Sequence, residues 1–79
     1  MRVEKINGKC NVCGVRVREA RERAGLSQEQ LAAKIQLLGH PLTQKVISRI
    51  ETGLRVVPDF ELPVLAEALN ISVLWLLGL

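Results

Sequence analysis

Gln44, Lys45, Ser48 and Arg49 fall on one side of any helix that runs through residues 44–52. At about 100° per residue from Gln44, Ser48, Lys45 and Arg49 stand at roughly 40°, 100° and 140°, with Thr52 at about 80°. Val46, Ile50 and Ile47 stand opposite, at roughly 200°, 240° and 300°. The polar arc is made of groups that read base edges: a guanidinium or ammonium donates to guanine O6 and N7, and a carboxamide pairs bidentately with adenine. The competing reading of such an arc is a solvated helix face. A second pattern is Cys10-Asn11-Val12-Cys13, whose C-x-x-C spacing suits a tetrahedral metal or a redox dithiol. A structural zinc site needs four ligands, and His40 is the sole further candidate, so one chain falls at least one ligand short. The expectation is free thiols, no metal and no cofactor; zinc shared between two chains and a redox switch are the alternatives. No nucleophile, base and orienting group stand together, and with one His and no Gly-rich phosphate loop an enzyme is not expected.

These side chains need a scaffold. The chain has 79 residues, enough for one small domain that buries about 60–65 % of its unfolded surface, which disfavours a roomy substrate cavity. Apolar residues make up 48 % and charged residues 24 %, a globular composition. The longest apolar run, Ile71 to Leu79, is interrupted by Ser72 and is too short to span a membrane. The start, Met1-Arg2-Val3-Glu4-Lys5, leads into Asn7-Gly8-Lys9 without a signal-peptide apolar stretch, so a soluble cytoplasmic protein is expected. Net charge is +3 but unevenly spread: residues 1–55 hold all eleven bases against five acids, and residues 56–79 hold three acids and no base. The first two-thirds is therefore suited to a polyanion.

Apolar spacing is helical throughout, so the fold class expected is all-α. A first helix covers about 12–24, with Val17, Ala20 and Ala24 inward and Gly25 as its left-handed stop. Ser27 with Gln30 forms a capping-box pattern opening a second helix lined by Leu31, Ile35 and Leu38. Gly39-His40-Pro41 breaks it. Thr43 caps the third helix, with Leu42 and Ile47 as a hydrophobic staple, and Gly53 ends it. A fourth helix near 60–69 tolerates Pro63 in its first turn and turns Leu62, Leu65, Ala66 and Leu69 inward. A short fifth, Val73 to Leu77, stops at Gly78. Two segments are expected: residues 1–11 as an N-terminal segment and 12–79 as the domain.

The blocks Arg18-Glu19-Ala20-Arg21, Gly25-Leu26-Ser27-Gln28-Glu29-Gln30-Leu31-Ala32, Thr43-Gln44-Lys45-Val46-Ile47-Ser48-Arg49-Ile50-Glu51-Thr52-Gly53 and Leu65 to Gly78 occur in order. In these blocks the chain resembles the Cro and C1 phage-repressor, or XRE-type, helix-turn-helix family over roughly 14–78. The resemblance implies a five-helix, lambda-repressor-like domain whose third helix enters the major groove of double-stranded DNA. It implies base contacts from Gln44, Lys45, Ser48 and Arg49, and phosphate contacts from Gln28, Thr43 and Arg55. It also implies an ion pair between Arg21 and Glu51, and the wheel agrees, since Glu51 lies at roughly 340°, beside Ile47. The chain departs from the family between helices two and three, where Leu31 to Ile47 is sixteen positions, about five more than usual. An extra helical turn plus the Gly39-His40-Pro41 loop is expected to absorb them.

The function expected is a transcriptional repressor acting as a homodimer, because two linked half-sites multiply the limited specificity of one small domain. Trp75, Leu77 and Leu79 of the apolar tail are the expected dimer interface. The alternative is a protein-interaction module of the same fold, such as an antitoxin or a complex subunit.

Overall fold

A computed structural model describes residues 5–79 of the chain; Met1–Glu4 of the N-terminal segment lie outside the described residues. Among them are five α-helices: α1 (Gly14–Arg23), α2 (Gln28–Leu37), α3 (Gln44–Glu51), α4 (Leu62–Leu69) and α5 (Val73–Leu76). A single 3-10 turn, Asp59–Glu61, precedes α4.

The helix ends follow from local chemistry. Ser27 Oγ accepts from the Gln30 N–H at 3.0 Å while Gln30 Oε1 accepts from the Ser27 N–H at 2.8 Å, a complete capping box on α2. Thr43 and Ser72 cap α3 and α5 in the same sense. Every helix is closed by one left-handed residue: Gly25, Gly39, Gly53, Asn70 and Gly78 in order. At Gly53 (φ +77°) the amide donates to Ile50 O at 3.1 Å, and the Leu54 amide reaches Arg49 O at 2.9 Å, so both carbonyls are met where α3 stops.

Val17, Ala20, Leu31, Ala32, Ile35, Leu42, Ile47, Ile50, Leu65 and Leu76 form the centre of one continuous core. Helix α3 packs on α1 and α2, and α4 packs on α1, α2 and α5. Helix α4 is buried on most sides, with Val64 and Ala68 joining the positions expected from periodicity. Two assigned core positions are corrected. Ala24 is exposed because α1 already ends at Arg23, and Leu38 is 39 % exposed because it is the cap of α2 and not part of its inner face. Phe60 also differs: it sits in the 3-10 turn ahead of α4 and is 67 % exposed.

The lengthened crossing resolves into a ten-residue α2 and a connection over residues 38–43. Gln36 Nε2 donates to Leu42 O at 3.1 Å, which closes the loop. Leu42 then turns into the core, so the inserted residues are fastened at the point where α3 begins.

Candidate nucleic-acid interface

Helix α3 is far more sharply two-faced than α1 or α2. Its inner face buries Ile47 and Ile50 completely, and its outer face exposes Gln44, Lys45 and Arg49, with Ser48 half-buried between them. The Ser48 carbonyl, not its hydroxyl, is used internally: Thr52 Oγ1 donates to it at 2.9 Å. Among the described residues four ion pairs form, and none includes Lys45 or Arg49. Both charges therefore stand free on the polar arc.

A chain of hydrogen bonds fixes this face to the rest of the domain. Arg21 on α1 donates to Glu51 through Nε at 2.7 Å and Nη2 at 3.0 Å, a two-pronged pair that also sends Nη1 to Leu26 O at 2.8 Å. Glu51 is 7 % exposed, and its carboxylate holds the Arg21 guanidinium above its ordinary pKa. Glu51 Oε1 also accepts from Gln28 Nε2 at 3.0 Å, and Gln28 Oε1 accepts from Gln44 Nε2 at 2.7 Å. Four side chains from three helices thus form one line ending on the first residue of α3.

That line gives Gln28 a place the spacing did not suggest. Its carboxamide spans Glu51 and Gln44, so it aligns Gln44 as well as standing at the start of α2. The signal was available in principle: Gln28 and Gln44 are each the first residue of a helix, and a helix-turn-helix sets those two starts side by side. Capping consumes the Gln30 and Val46 amides at these two helix starts. Such starts favour anions through their free N–H groups and the positive end of the helix dipole. Thr43 spends its hydroxyl on Val46 N at 3.3 Å.

Arg55, for which a phosphate contact is expected, also has a partner within the chain. It forms a two-pronged pair with Glu61, Nη1 to Oε1 at 2.7 Å and Nη2 to Oε2 at 3.0 Å, which raises its pKa and meets its charge within the chain. Glu61 is buried at 7 % exposure, so the pair ties the segment after α3 to the turn before α4. Sequence reasoning placed Glu61 only in an acidic C-terminal third; its six-residue separation from Arg55 across a non-helical stretch carries no periodic signal.

Cys13 is 2 % exposed within the core and Cys10 is half-buried; burial pushes the Cys13 thiol above its ordinary range. In α5 and the residues that follow it, Leu76 is wholly buried and Trp75 and Leu77 are half-buried, whereas Leu74 and Leu79 are 62 % and 84 % exposed. Leu74 belongs with the outward tail residues and was not singled out from sequence. No helix among the described residues is long and apolar enough to cross a membrane.

A family model described as helix-turn-helix matches residues 17–76, which runs from the fourth residue of α1 through α2, α3 and α4 to the end of α5. With a sharply amphipathic third helix, a capped second helix beside it and the intervening loop fastened by Gln36, the chain belongs to the Cro/C1-type, XRE-like helix-turn-helix family of DNA-binding regulators, which is not an enzyme family.

Proposed function

We propose that this chain is a sequence-specific transcriptional repressor that inserts α3 into the major groove of double-stranded DNA and binds as a homodimer. Residues 12–79 form its DNA-binding domain, residues 1–11 precede it, and it works in the cytoplasm without a cofactor. The observation that carries the reading is the outer face of α3: two cations that form no ion pair among the described residues, and a carboxamide held in position by a hydrogen-bonded line from α1. In the groove, Arg49 and Lys45 donate to guanine acceptors, Gln44 pairs with an adenine edge, and Ser48 contacts whichever base lies between. Thr43 and Gln28 stand where the backbone passes, at two adjacent helix starts.

Dimerisation draws on the tail. Leu74 and Leu79 are apolar, exposed and next to half-buried Trp75 and Leu77, and they sit in the acidic third of the chain. A self-complementary contact there holds two α3 helices about one DNA turn, roughly 34 Å, apart.

A salt titration of binding to a random duplex pool tests the reading. DNA binding weakens steeply with salt, with a log–log slope near about −0.9 per phosphate neutralised. A salt-insensitive or undetectable interaction favours the protein-interaction module instead. Sedimentation equilibrium of the full chain beside one ending at Leu76 tests the dimer: truncation raises the dissociation constant, and equal dimerisation of both chains removes the tail from the interface.

A further inference from the structure

We propose that Asn11 is a positioning residue for base recognition: from a segment ahead of the family-matched stretch, it pins the C-terminal end of α3 and so holds Arg49 in register. The inference rests on α3 being the DNA-reading helix. Asn11 Nδ2 donates to Ile50 O at 3.1 Å and to Arg55 O at 2.8 Å, and its Oδ1 accepts from Gly14 N at 2.8 Å. One carboxamide thereby joins the last turn of α3, the segment that follows it and the first residue of α1. The neighbouring Cys10 amide donates to Gly53 O at 2.8 Å, so residues 10 and 11 together occupy two carbonyls at the end of α3.

The packing around this link leaves no slack. Gly14 is buried, and a Cβ there would run into the Ile50 carbonyl oxygen and crowd Asn11 Oδ1, so α1 begins directly against the end of α3. Gly53 is likewise covered by the Lys9 side chain, which a tight Asn7-Gly8 turn (Ile6 N to Lys9 O and Lys9 N to Ile6 O, both 2.9 Å) folds back over it. Arg21 and Gln28 hold the Glu51 side chain in the last turn of α3, and Gln28 also holds the Gln44 side chain in the first. Asn11 holds the backbone at the opposite end, one residue beyond Arg49. Gln44 and Arg49 are about 7.5 Å apart along the axis, and Gln44 has its own side-chain bond to Gln28, so a backbone shift at the Asn11 end displaces Arg49 more than Gln44.

Asn11→Asp separates positioning from mere support. It keeps the acceptor for the Gly14 amide but turns an oxygen, with nothing to donate, toward the Ile50 and Arg55 carbonyls. Gly14→Ala disturbs the same junction from the α1 side while keeping the Asn11 carboxamide, its Cβ pressing on the Ile50 carbonyl and on Asn11 Oδ1. Two readouts are taken at a temperature where each variant is folded by circular dichroism. Without DNA, amide exchange at Gly53 and Leu54 rises at least tenfold more than at Leu65 in α4. With DNA, selection from a random pool shows preference at the base read by Arg49 falling about tenfold while that at the Gln44 base is kept. Uniform exchange changes with both preferences intact overturn the proposal and leave Asn11 a supporting residue. If the unaltered chain selects no sequence, the DNA reading itself fails, and the exchange measurement, which needs no DNA, tells that failure apart from a failure of the Asn11 link.

Discussion

Replacing Glu51 by Ala removes the group on which three helices converge. Its carboxylate receives Arg21 Nε and Nη2 at 2.7 and 3.0 Å and Gln28 Nε2 at 3.0 Å, and its side chain is 3 % exposed. The Arg21 side chain, 12 % exposed, would keep only its bond to Leu26 O and stay charged in a partly dry site. Stranding one partner of a buried pair costs about 3–5 kcal/mol, although the intact pair adds far less than that to net stability. A 79-residue domain has roughly 4–12 kcal/mol in all. Glu29→Ala is the control, because Glu29 is an exposed first-turn acid whose loss costs about 0.3–1 kcal/mol of dipole interaction. With a urea slope of about 1 kcal/mol per molar for a chain this small, Glu51→Ala lowers the unfolding midpoint by about 3 M or more and Glu29→Ala by under about 1 M. Glu51→Gln keeps one acceptor and falls between them. Equal midpoints for Glu51→Ala and Glu29→Ala would refute the claim that this pair organises the domain.

Gln28→Ala weakens binding to all sequences and also relaxes preference at the base read by Gln44, because it removes the 2.7 Å bond that orients that carboxamide; site selection on the variant reads both effects. Arg55→Ala lowers the unfolding midpoint but leaves the salt slope of binding to random DNA unchanged, since Arg55 is committed to Glu61; a slope smaller by about one would restore it as a phosphate contact. For Cys13 the raised thiol pKa means that above the ordinary thiol pKa the unfolded chain gives up its proton first. The folded state then binds more protons than the unfolded one, so stability falls as pH rises through that window. Cys13→Ala flattens this alkaline decline in urea midpoint.

The elements of the domain were legible because each carries its signal within a few residues. Ser27 and Gln30 announce a helix start three positions apart, Gly25 and Gly53 announce stops, and the alternation of Lys45 and Arg49 with Val46 and Ile50 separates the faces of α3. Errors of register came at the ends: Ala24 and Leu38 continue the apolar period of α1 and α2 but lie past the last helical residue. What stayed hidden was contact between residues far apart in sequence. Asn11 meets the Ile50 and Arg55 carbonyls 39 and 44 positions away, and backbone acceptors leave no mark on the side chains that own them. The pairing of Arg55 with Glu61 was hidden as well, because it depends on how the segment between them turns.

Binding-site selection from a random DNA pool with the unaltered chain and with Arg49→Ala, compared position by position, tests the central claim that the outer face of α3 reads base pairs. The account predicts a defined half-site for the unaltered chain, and for Arg49→Ala a loss of preference at one position per half-site of about 1–3 kcal/mol per contact, the other positions being kept. An unchanged pattern for Arg49→Ala, or a uniform loss at every position, would contradict it.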